Sequence, residues 1–171
     1  MLNRYTYLAY RLSAIFTAGF AVLFSGAAVA AETTATASAA ILSPATVNKI
    51  DDLNFGKIVA GDASSTVSMS AAGEFRCGAG LVCLDTHRVA RFNIVGPPGQ
   101  LITIASDSNV TLASSTGARM PASLNLSANS MQLSAGSNLR NIFTVGGTLN
   151  VAANQAEGVY TGVFTVTVDY N

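Results

Sequence analysis

Alternating apolar and polar positions dominate the C-terminal stretch of the chain, residues 158–171. Successive side chains of a β-strand point to opposite faces, so a period of two predicts a strand with one buried and one solvated face. Most of these residues are β-branched or aromatic, which favours a strand, and Gly158 and Gly162 allow a bend near its start. We predict one long strand here, which either completes an existing sheet or pairs with another chain. Its apolar face carries Tyr160, Phe164, Val166, Val168 and Tyr170.

Short segments of the same kind recur along the chain, separated by turns rich in Gly, Pro, Asn and Ser. No stretch beyond residue 30 shows a helical period of useful length. This pattern is typical of an all-β antiparallel sandwich or barrel, and we predict a single β-sandwich domain over residues 44–171. The predicted strands cover residues 51–61 with a bulge near Gly56, 66–70, 74–77, 89–95, 101–104, 110–113, 122–126, 141–145 and 148–152, the last two joined by a tight hairpin at Gly146-Gly147.

Residues 31–43 precede this domain and contain an Ala/Thr-rich segment with a period of two. One interpretation is a flexible tail. The other is an extended arm that adds itself as a strand to another sheet, ended by Pro44, which cannot donate to a ladder. The small apolar face of such an arm carries Ala35, Ala37, Ala39 and Ile41.

The first 30 residues have the layout of an export signal. A start with Arg4 and Arg11 and no acid is followed by an apolar run, and small residues at Ala28-Val29-Ala30 suit a signal peptidase. We expect cleavage after Ala30 and an exported product. An uncleaved anchor helix is the alternative, because residues 12–29 approach the length needed to span a bilayer.

The charge and the residue types of the remaining chain exclude several functions. Removal of 30 residues from 171 leaves 141, with seven Lys or Arg and nine Asp or Glu and a formal charge of −2. Such a surface has no basic footprint for nucleic acid. The one histidine, His87, has Asp85 two residues away, but no Gly-x-Ser-x-Gly elbow presents a nucleophile and no carboxylate pair stands out. We expect no enzyme, metal or cofactor.

The only two cysteines are Cys77 and Cys83. Two cysteines in an exported chain are expected to pair, and this pair would close a short loop between two strands. A zinc site does not fit, since His87 and Asp85 are the only nearby ligands. A redox role would need a Cys-x-x-Cys spacing, which is missing.

The chain resembles a known group of secreted proteins. Tyr170 is penultimate and Gly158 is fourteenth from the end, as in the last strand of subunits of chaperone-usher pili. The order of Leu53-Asn54-Phe55-Gly56-Lys57-Ile58, the motif at residues 92–99, Val145-Gly146-Gly147-Thr148-Leu149 and the motif at residues 158–162 is similar to a family of secreted proteobacterial domains of unknown function, itself similar to common-pilus (Mat-type) fimbrial subunits.

This resemblance implies an immunoglobulin-like, pilin-like sandwich and a homopolymer joined by strand addition. It also implies a periplasmic chaperone that recognises the final strand through Gly158, Tyr160, Phe164, Val166, Val168 and Tyr170. Many such pilins carry a disulfide between distant strands, whereas the cysteines here lie six residues apart.

Three hypotheses follow for function. The first is a structural subunit of a pilus or similar surface fibre with a role in adhesion, exported to the periplasm and then to the cell surface. The second is a monomeric secreted or surface binding domain, such as an adhesin or coat-like protein, and the third is a hydrolase. A separate receptor-binding domain, usual in tip adhesins, would not fit in 141 residues.

Overall fold

A computed structural model describes residues 32–135 and 141–171. The predicted signal, residues 1–30, lies outside the described residues. The chain divides into two units, of which the first is described only at residues 32–39 and the second covers residues 40–171. Residues 32–39 of the first unit carry no regular secondary structure and have exposed side chains. Within the described ranges, no helix is long and apolar enough to cross a membrane.

The second unit is built from antiparallel strands, which confirms the predicted all-β class. Over residues 40–135 and 141–171 its twelve strands are β1 (Thr46–Asp51), β2 (Lys57–Val59), β3 (Ser65–Met69), β4 (Phe75–Cys77), β5 (Val82–Leu84), β6 (Ala90–Val95), β7 (Leu101–Ser106), β8 (Asn109–Ala113), β9 (Arg119–Leu126), β10 (Ser130–Gln132), β11 (Ile142–Val151) and β12 (Val166–Tyr170).

The strands form one large sheet, a second sheet in the order β10-β7-β12, and a ribbon made of β2 and β5. In the large sheet, β11 is central. Val145 of β11 pairs with both Ala90 of β6 and Leu126 of β9, so these strands lie on opposite edges of β11. Farther along, β3 replaces β6 as the neighbour, with Gly147 opposite Met69. β1 and β4 extend this edge beyond β6 and β3, and β8 extends the opposite edge beyond β9.

The predicted hairpin at Gly146-Gly147 is wrong, because β11 runs straight through both glycines. The reason is steric. A Cβ on Gly146 would meet the backbone of Met69, Ser70 and Ala71, and one on Gly147 would meet the carbonyl of Ser123. Glycine is needed here for close approach of neighbouring strands, where β11 exchanges β6 for β3, and not for a turn.

The predicted strand over residues 51–61 is also revised. The structure has β1 ending at Asp51, an isolated bridge between Asn54 and Arg88, and then β2. Gly56 separates these pieces with φ of +78°, a conformation that suits glycine. The inward direction predicted for the apolar residues of this segment is confirmed, since Leu53, Phe55, Ile58 and Ala60 all contact the core.

The core consists of two apolar clusters. The first lies between the large sheet and the β10-β7-β12 sheet and contains Ala90, Phe92, Ile94, Ile102, Ile104, Leu133, Phe143 and Val145. The second lies under the ribbon and contains Phe55, Val67, Met69, Met120, Ala122, Leu149 and Val151. Because β11 contributes buried residues to both clusters, it holds the two halves of the sandwich together.

The predicted disulfide is confirmed. Cys77 at the end of β4 is bonded to Cys83 in β5, with the two Cα atoms 6.0 Å apart. The bond therefore ties the ribbon to the edge of the large sheet. Part of the second cluster lies beneath it, because Leu81 and Cys83 pack against the buried residues.

Replacing both cysteines with serine is expected to lower the free energy of unfolding by about 1 to 3 kcal/mol without preventing folding, because the closed loop is short. Urea titration of the variant and the parent measures this difference. An intact mass two units below the dithiol value checks the bond itself, and free thiols in the native protein would contradict it. A variant that cannot fold would show that the bond does more than close a loop.

Candidate strand-acceptor seam

The C-terminal stretch forms a shorter strand than the sequence predicts. Regular pairing is confined to β12, where Val166 to Tyr170 lie opposite Ser106 to Ile102 of β7. Just before β12, the Asp107 carboxylate accepts a hydrogen bond of 2.7 Å from the backbone N–H of Thr165. This side chain occupies the place of a ladder partner, so the predicted strand over residues 158–171 is interrupted at the turn between β7 and β8.

The stretch nevertheless follows one continuous edge of the sandwich. Upstream of the interruption, Thr161 exchanges two backbone hydrogen bonds of 3.0 and 2.8 Å with Ala113, at the end of β8. Gly162 lies against β8 so closely that a Cβ there would sit 2.9 Å from the carbonyl of Thr111. The chain thus passes from β8 of one sheet to β7 of the other, with glycine at the tightest contact.

The burial of this stretch follows the predicted alternation. Tyr160 packs against the second cluster, whereas Phe164, Val166, Val168 and Tyr170 pack against the first. All five are only half-buried, and Gly158 is exposed. The two remaining valines of the stretch, Val159 and Val163, are 83% and 93% exposed. The apolar face therefore contacts the core without being covered.

β1 and β12 are the terminal strands of their sheets, and they lie next to each other at an open side of the sandwich. No ladder joins them in the described part of the chain. We call the gap between them the seam. Half-buried side chains that pack on the first cluster line it, namely Ala45, Val47, Phe164, Val166, Val168 and Tyr170.

The backbone groups along the seam point into it. Asn171 donates to the carbonyl of Leu101, and bonding direction alternates along an antiparallel strand, so the N–H and C=O groups of Val166, Val168 and Tyr170 face away from β7. In the same way Ile94 donates to the carbonyl of Asn141, just before β11, and the backbone groups of Val47 opposite Ile94 face away from β6. The seam therefore combines unpaired backbone with incompletely covered apolar side chains.

One end of the seam is closed by the chain itself. The Tyr170 hydroxyl donates a hydrogen bond of 2.9 Å to the carbonyl of Ser43, just before β1. Tight packing surrounds it, because a Cβ on Gly96 would lie 3.0 Å from that hydroxyl and 2.8 Å from Leu133 Cδ1. We call this the Tyr170 end.

The opposite end of the seam opens into a cleft of about 720 Å³, bounded by residues 53–60, which follow β1, and residues 154–160, which precede β12. Its apolar floor is formed by Leu112, Met120, Leu149 and Val151 of the second cluster. Tyr160 forms part of the wall, held by hydrogen bonds from its hydroxyl to the Ala156 carbonyl and from Gln155 Nε2 to that hydroxyl.

The charges around this cleft are few and exposed. Lys57 on its rim forms a 3.0 Å ion pair with Asp85. The backbone N–H of Thr86 and then Lys57 hold the pKa of Asp85 below its usual range. A carboxyl group whose pKa is lowered in the folded state stabilises the fold at pH values above the ordinary Asp pKa. This contribution is lost as the pH falls through the folded-state pKa. Because both groups are exposed, the ion pair is screened by solvent and does not define a binding site.

The residues considered for catalysis or metal binding occupy other positions. His87 is exposed and stacks on Phe75, with ring centroids 3.7 Å apart. Arg88 and Arg91 both bond the carboxylate of Asp51, at 3.1 and 3.3 Å. Among the described residues, no group of three or more His, Cys, Asp or Glu side chains could hold a metal ion.

The segment predicted as a donor arm is exposed throughout. Residues 33–42 belong to no strand, and Ala35, Ala37 and Ala39 are exposed. Ile41 is 98% exposed, more than any other large apolar side chain among the described residues. Alternation in the sequence predicts the two faces of the C-terminal stretch, but it does not predict β1, the opposite wall of the seam. An alternating pattern that rests on Val47 alone is too short to predict a strand.

The chain matches a known protein family. A family described as a domain of unknown function (DUF4402) matches residues 45–170, which span all twelve strands. Neither a curated protein nor a solved structure matches the chain.

Proposed function

We propose that this chain, which belongs to the DUF4402 family, is a structural subunit of a pilus or similar surface fibre, assembled by strand addition and with a role in adhesion. The observation that carries the proposal is the seam. Two neighbouring edge strands, β1 and β12, leave backbone groups unpaired beside half-buried apolar side chains. Such an edge accepts an extended segment, whose backbone completes the ladder while its side chains cover the apolar floor.

The segment that fits is residues 33–42 of a neighbouring copy. Ten extended residues span about 33 Å at 3.3 Å per residue, which matches the ten residues from Thr161 to Tyr170 along the acceptor edge. The arm face formed by Ala35, Ala37 and Ala39 has small side chains, which alone contribute little apolar area. The seam side supplies the bulk instead, through Phe164, Val166 and Val168.

The same geometry supports a proposal for the partners and the location of the protein. Before assembly the seam is an uncovered apolar edge, which aggregates unless another protein shields it. We therefore propose a periplasmic chaperone that holds β12, and neighbouring copies of this chain that replace it during export to the cell surface. The proposal needs no nucleic acid, cofactor or catalytic residue.

Deleting residues 33–40 is expected to leave a folded monomer that still binds its chaperone but no longer polymerises, because the acceptor seam is intact and the donor segment is gone. Size-exclusion chromatography and electron microscopy of the exported protein measure assembly, and urea titration measures folding. The matched control replaces the same residues with a Gly/Ser segment of equal length, which keeps the backbone and Ile41 and should weaken polymerisation without abolishing it.

Two outcomes would contradict the proposal. If the parent chain is a stable monomer without a chaperone, the second hypothesis, a monomeric binding domain, replaces the proposal of a fibre subunit. If the deletion unfolds the protein, the segment belongs to its own domain and is not a donor.

A further inference from the structure

We infer that Asn109 is an acceptor site for N-linked glycosylation, at which an oligosaccharyltransferase attaches an oligosaccharide to the side-chain amide. The inference goes beyond the proposed function and does not rest on strand addition, because Asn109 lies in β8, outside the seam and the cleft. The sequence that carries it is Asp107-Ser108-Asn109-Val110-Thr111.

This sequence contains the general acceptor motif Asn-x-Ser/Thr, in which x is not proline. Asp107 adds a carboxylate two residues before the asparagine. A carboxylate at this position can form a charge-assisted pair with an arginine of the transferase, so the five-residue sequence is more specific than the motif alone. The chain has a second motif, Asn125-Leu126-Ser127, but Ser123 stands there in place of the acid.

β8 presents Asn109 and Thr111 together on the outer face of the large sheet. Side chains two residues apart share a face of a strand, and the intervening Val110 points the other way and packs on the second cluster. Asp107, Asn109 and Thr111 are all exposed. An oligosaccharide on Asn109 therefore extends into solvent without displacing a core side chain.

The local contacts of the sequence leave it open to an enzyme. Asn109 Nδ2 donates to the hydroxyl of the exposed Ser108, at 3.1 Å, and this contact can rearrange with the surface. The hydrogen bond from Thr165 uses Oδ2 of Asp107 and leaves Oδ1 as a further acceptor. Asn109 is also the first residue of an edge strand, so few backbone hydrogen bonds have to open for the enzyme to reach it.

The second motif is held by the sheet. Asn125 Oδ1 accepts a hydrogen bond of 3.0 Å from the backbone N–H of Ala71, and the Ser127 hydroxyl accepts one of 2.9 Å from the backbone N–H of Thr144. Transfer to Asn125 would break these hydrogen bonds. The folded chain therefore distinguishes two motifs that look alike in sequence, and Asn125 is a built-in negative control.

The modification is a group transfer without oxidation or reduction. The donor is an oligosaccharide joined through its first sugar to a polyprenyl diphosphate. Asn109 Nδ2 forms a bond to carbon C1 of that sugar, and the bond between C1 and the phosphate oxygen breaks. The polyprenyl diphosphate leaves with the electron pair of the broken bond, and Nδ2 loses one proton to the medium.

Incubation of the purified, folded full chain with this donor tests the site. The enzyme is an oligosaccharyltransferase that requires Asp or Glu two residues before the asparagine, and its activity is verified on a reference acceptor peptide. The intact mass is expected to rise by one oligosaccharide. Peptide mass spectrometry is expected to find it on Asn109 in at least roughly tenfold excess over Asn125, where hydrogen bonds must first be lost.

Variants separate the parts of the sequence. Asn109→Gln and Thr111→Val are expected to abolish the modification, because each lacks a group that the motif requires. Both positions are exposed, so both variants should unfold at the same urea concentration as the parent. Asp107→Asn keeps an oxygen that can accept from Thr165 but loses the charge, and is expected to lower the modification at least roughly tenfold. Asp107→Glu restores the charge and most of the modification.

A synthetic peptide with the sequence of residues 105–113 is treated in the same way as the folded chain. If neither is modified, the sequence is not an acceptor, and if only the peptide is modified, the fold does not present the site. Either result, or preferential transfer to Asn125, would overturn the inference. Equal modification of Asp107→Asn and the parent would overturn the role of the carboxylate. Strand addition is unaffected by all of these results.

Discussion

Gly146→Ala is expected to lower the free energy of unfolding by about 3 kcal/mol or more, although it adds a single methyl group. The added Cβ would lie 2.6 Å from both the carbonyl carbon of Ser70 and the N–H nitrogen of Ala71. These are backbone atoms, which cannot rotate aside. The segment is also fixed from both sides, since Ala71 donates to Asn125 Oδ1 and accepts from Thr144 Oγ1. The contact between β11 and the end of β3 must therefore open.

The matched control is Gly117→Ala, at a turn where φ is +85° and nothing lies within 4 Å of the added Cβ. Alanine there has only the conformational cost of a left-handed residue, about 1 to 2 kcal/mol. Urea titrations of both variants and the parent give the comparison. Equal losses would mean that close strand approach at Gly146 adds nothing, and that the glycine pair in β11 has a different purpose.

The same glycine pair shows where sequence patterns stop being sufficient. A Gly-Gly pair between two apolar alternations is a strong hairpin signal, because glycine adopts turn conformations easily. In this chain the glycines serve close packing between strands of one sheet. A glycine can be required for its backbone conformation or for its lack of a side chain. Here the neighbours that decide between the two are residues 70 and 123, which are distant in sequence, so the local pattern does not distinguish a turn from close packing.

Alternation predicted the faces of strands better than their ends. The half-buried side of the C-terminal stretch follows the predicted positions from Tyr160 to Tyr170. Its interruption depends on the Asp107 side chain, 58 residues from Thr165. The strands β5 and β10 were not predicted, because each has three residues, too few for a period to appear. The equally short β4 was predicted only because the turn at Ala72-Gly73 precedes it.

The candidate site was predictable only on one side. The final strand is visible in the sequence, and so is the exposed arm. The seam also needs β1 as a neighbouring edge that leaves a gap, and the cleft needs residues 53–60 and 154–160 to lie apart. Both depend on the order of strands in the sheets, which alternation does not encode.

Val168→Ser combined with Tyr170→Ser is expected to lower the free energy of unfolding by about 3 to 4 kcal/mol. Both side chains pack on the first core cluster, so the change removes apolar contact worth about 3 kcal/mol for two half-buried residues. It also removes the hydrogen bond from the Tyr170 hydroxyl to Ser43, worth about 1 kcal/mol. A total stability of about 5 to 15 kcal/mol is usual for a domain, so this loss raises the unfolded fraction greatly and exposes the chain to proteolysis.

Thr167→Ser combined with Asp169→Ser is the matched control, because it changes two alternate residues of β12 whose side chains are exposed. Each such surface change is expected to stay within about 0.5 kcal/mol. The steady-state amount of protein in cells, with urea titration of the purified variants, compares the two double variants. If both accumulate equally and unfold at the same urea concentration, the apolar face of β12 is not part of the folded core. The seam would then have no apolar wall on that side, and strand addition would lose its structural basis.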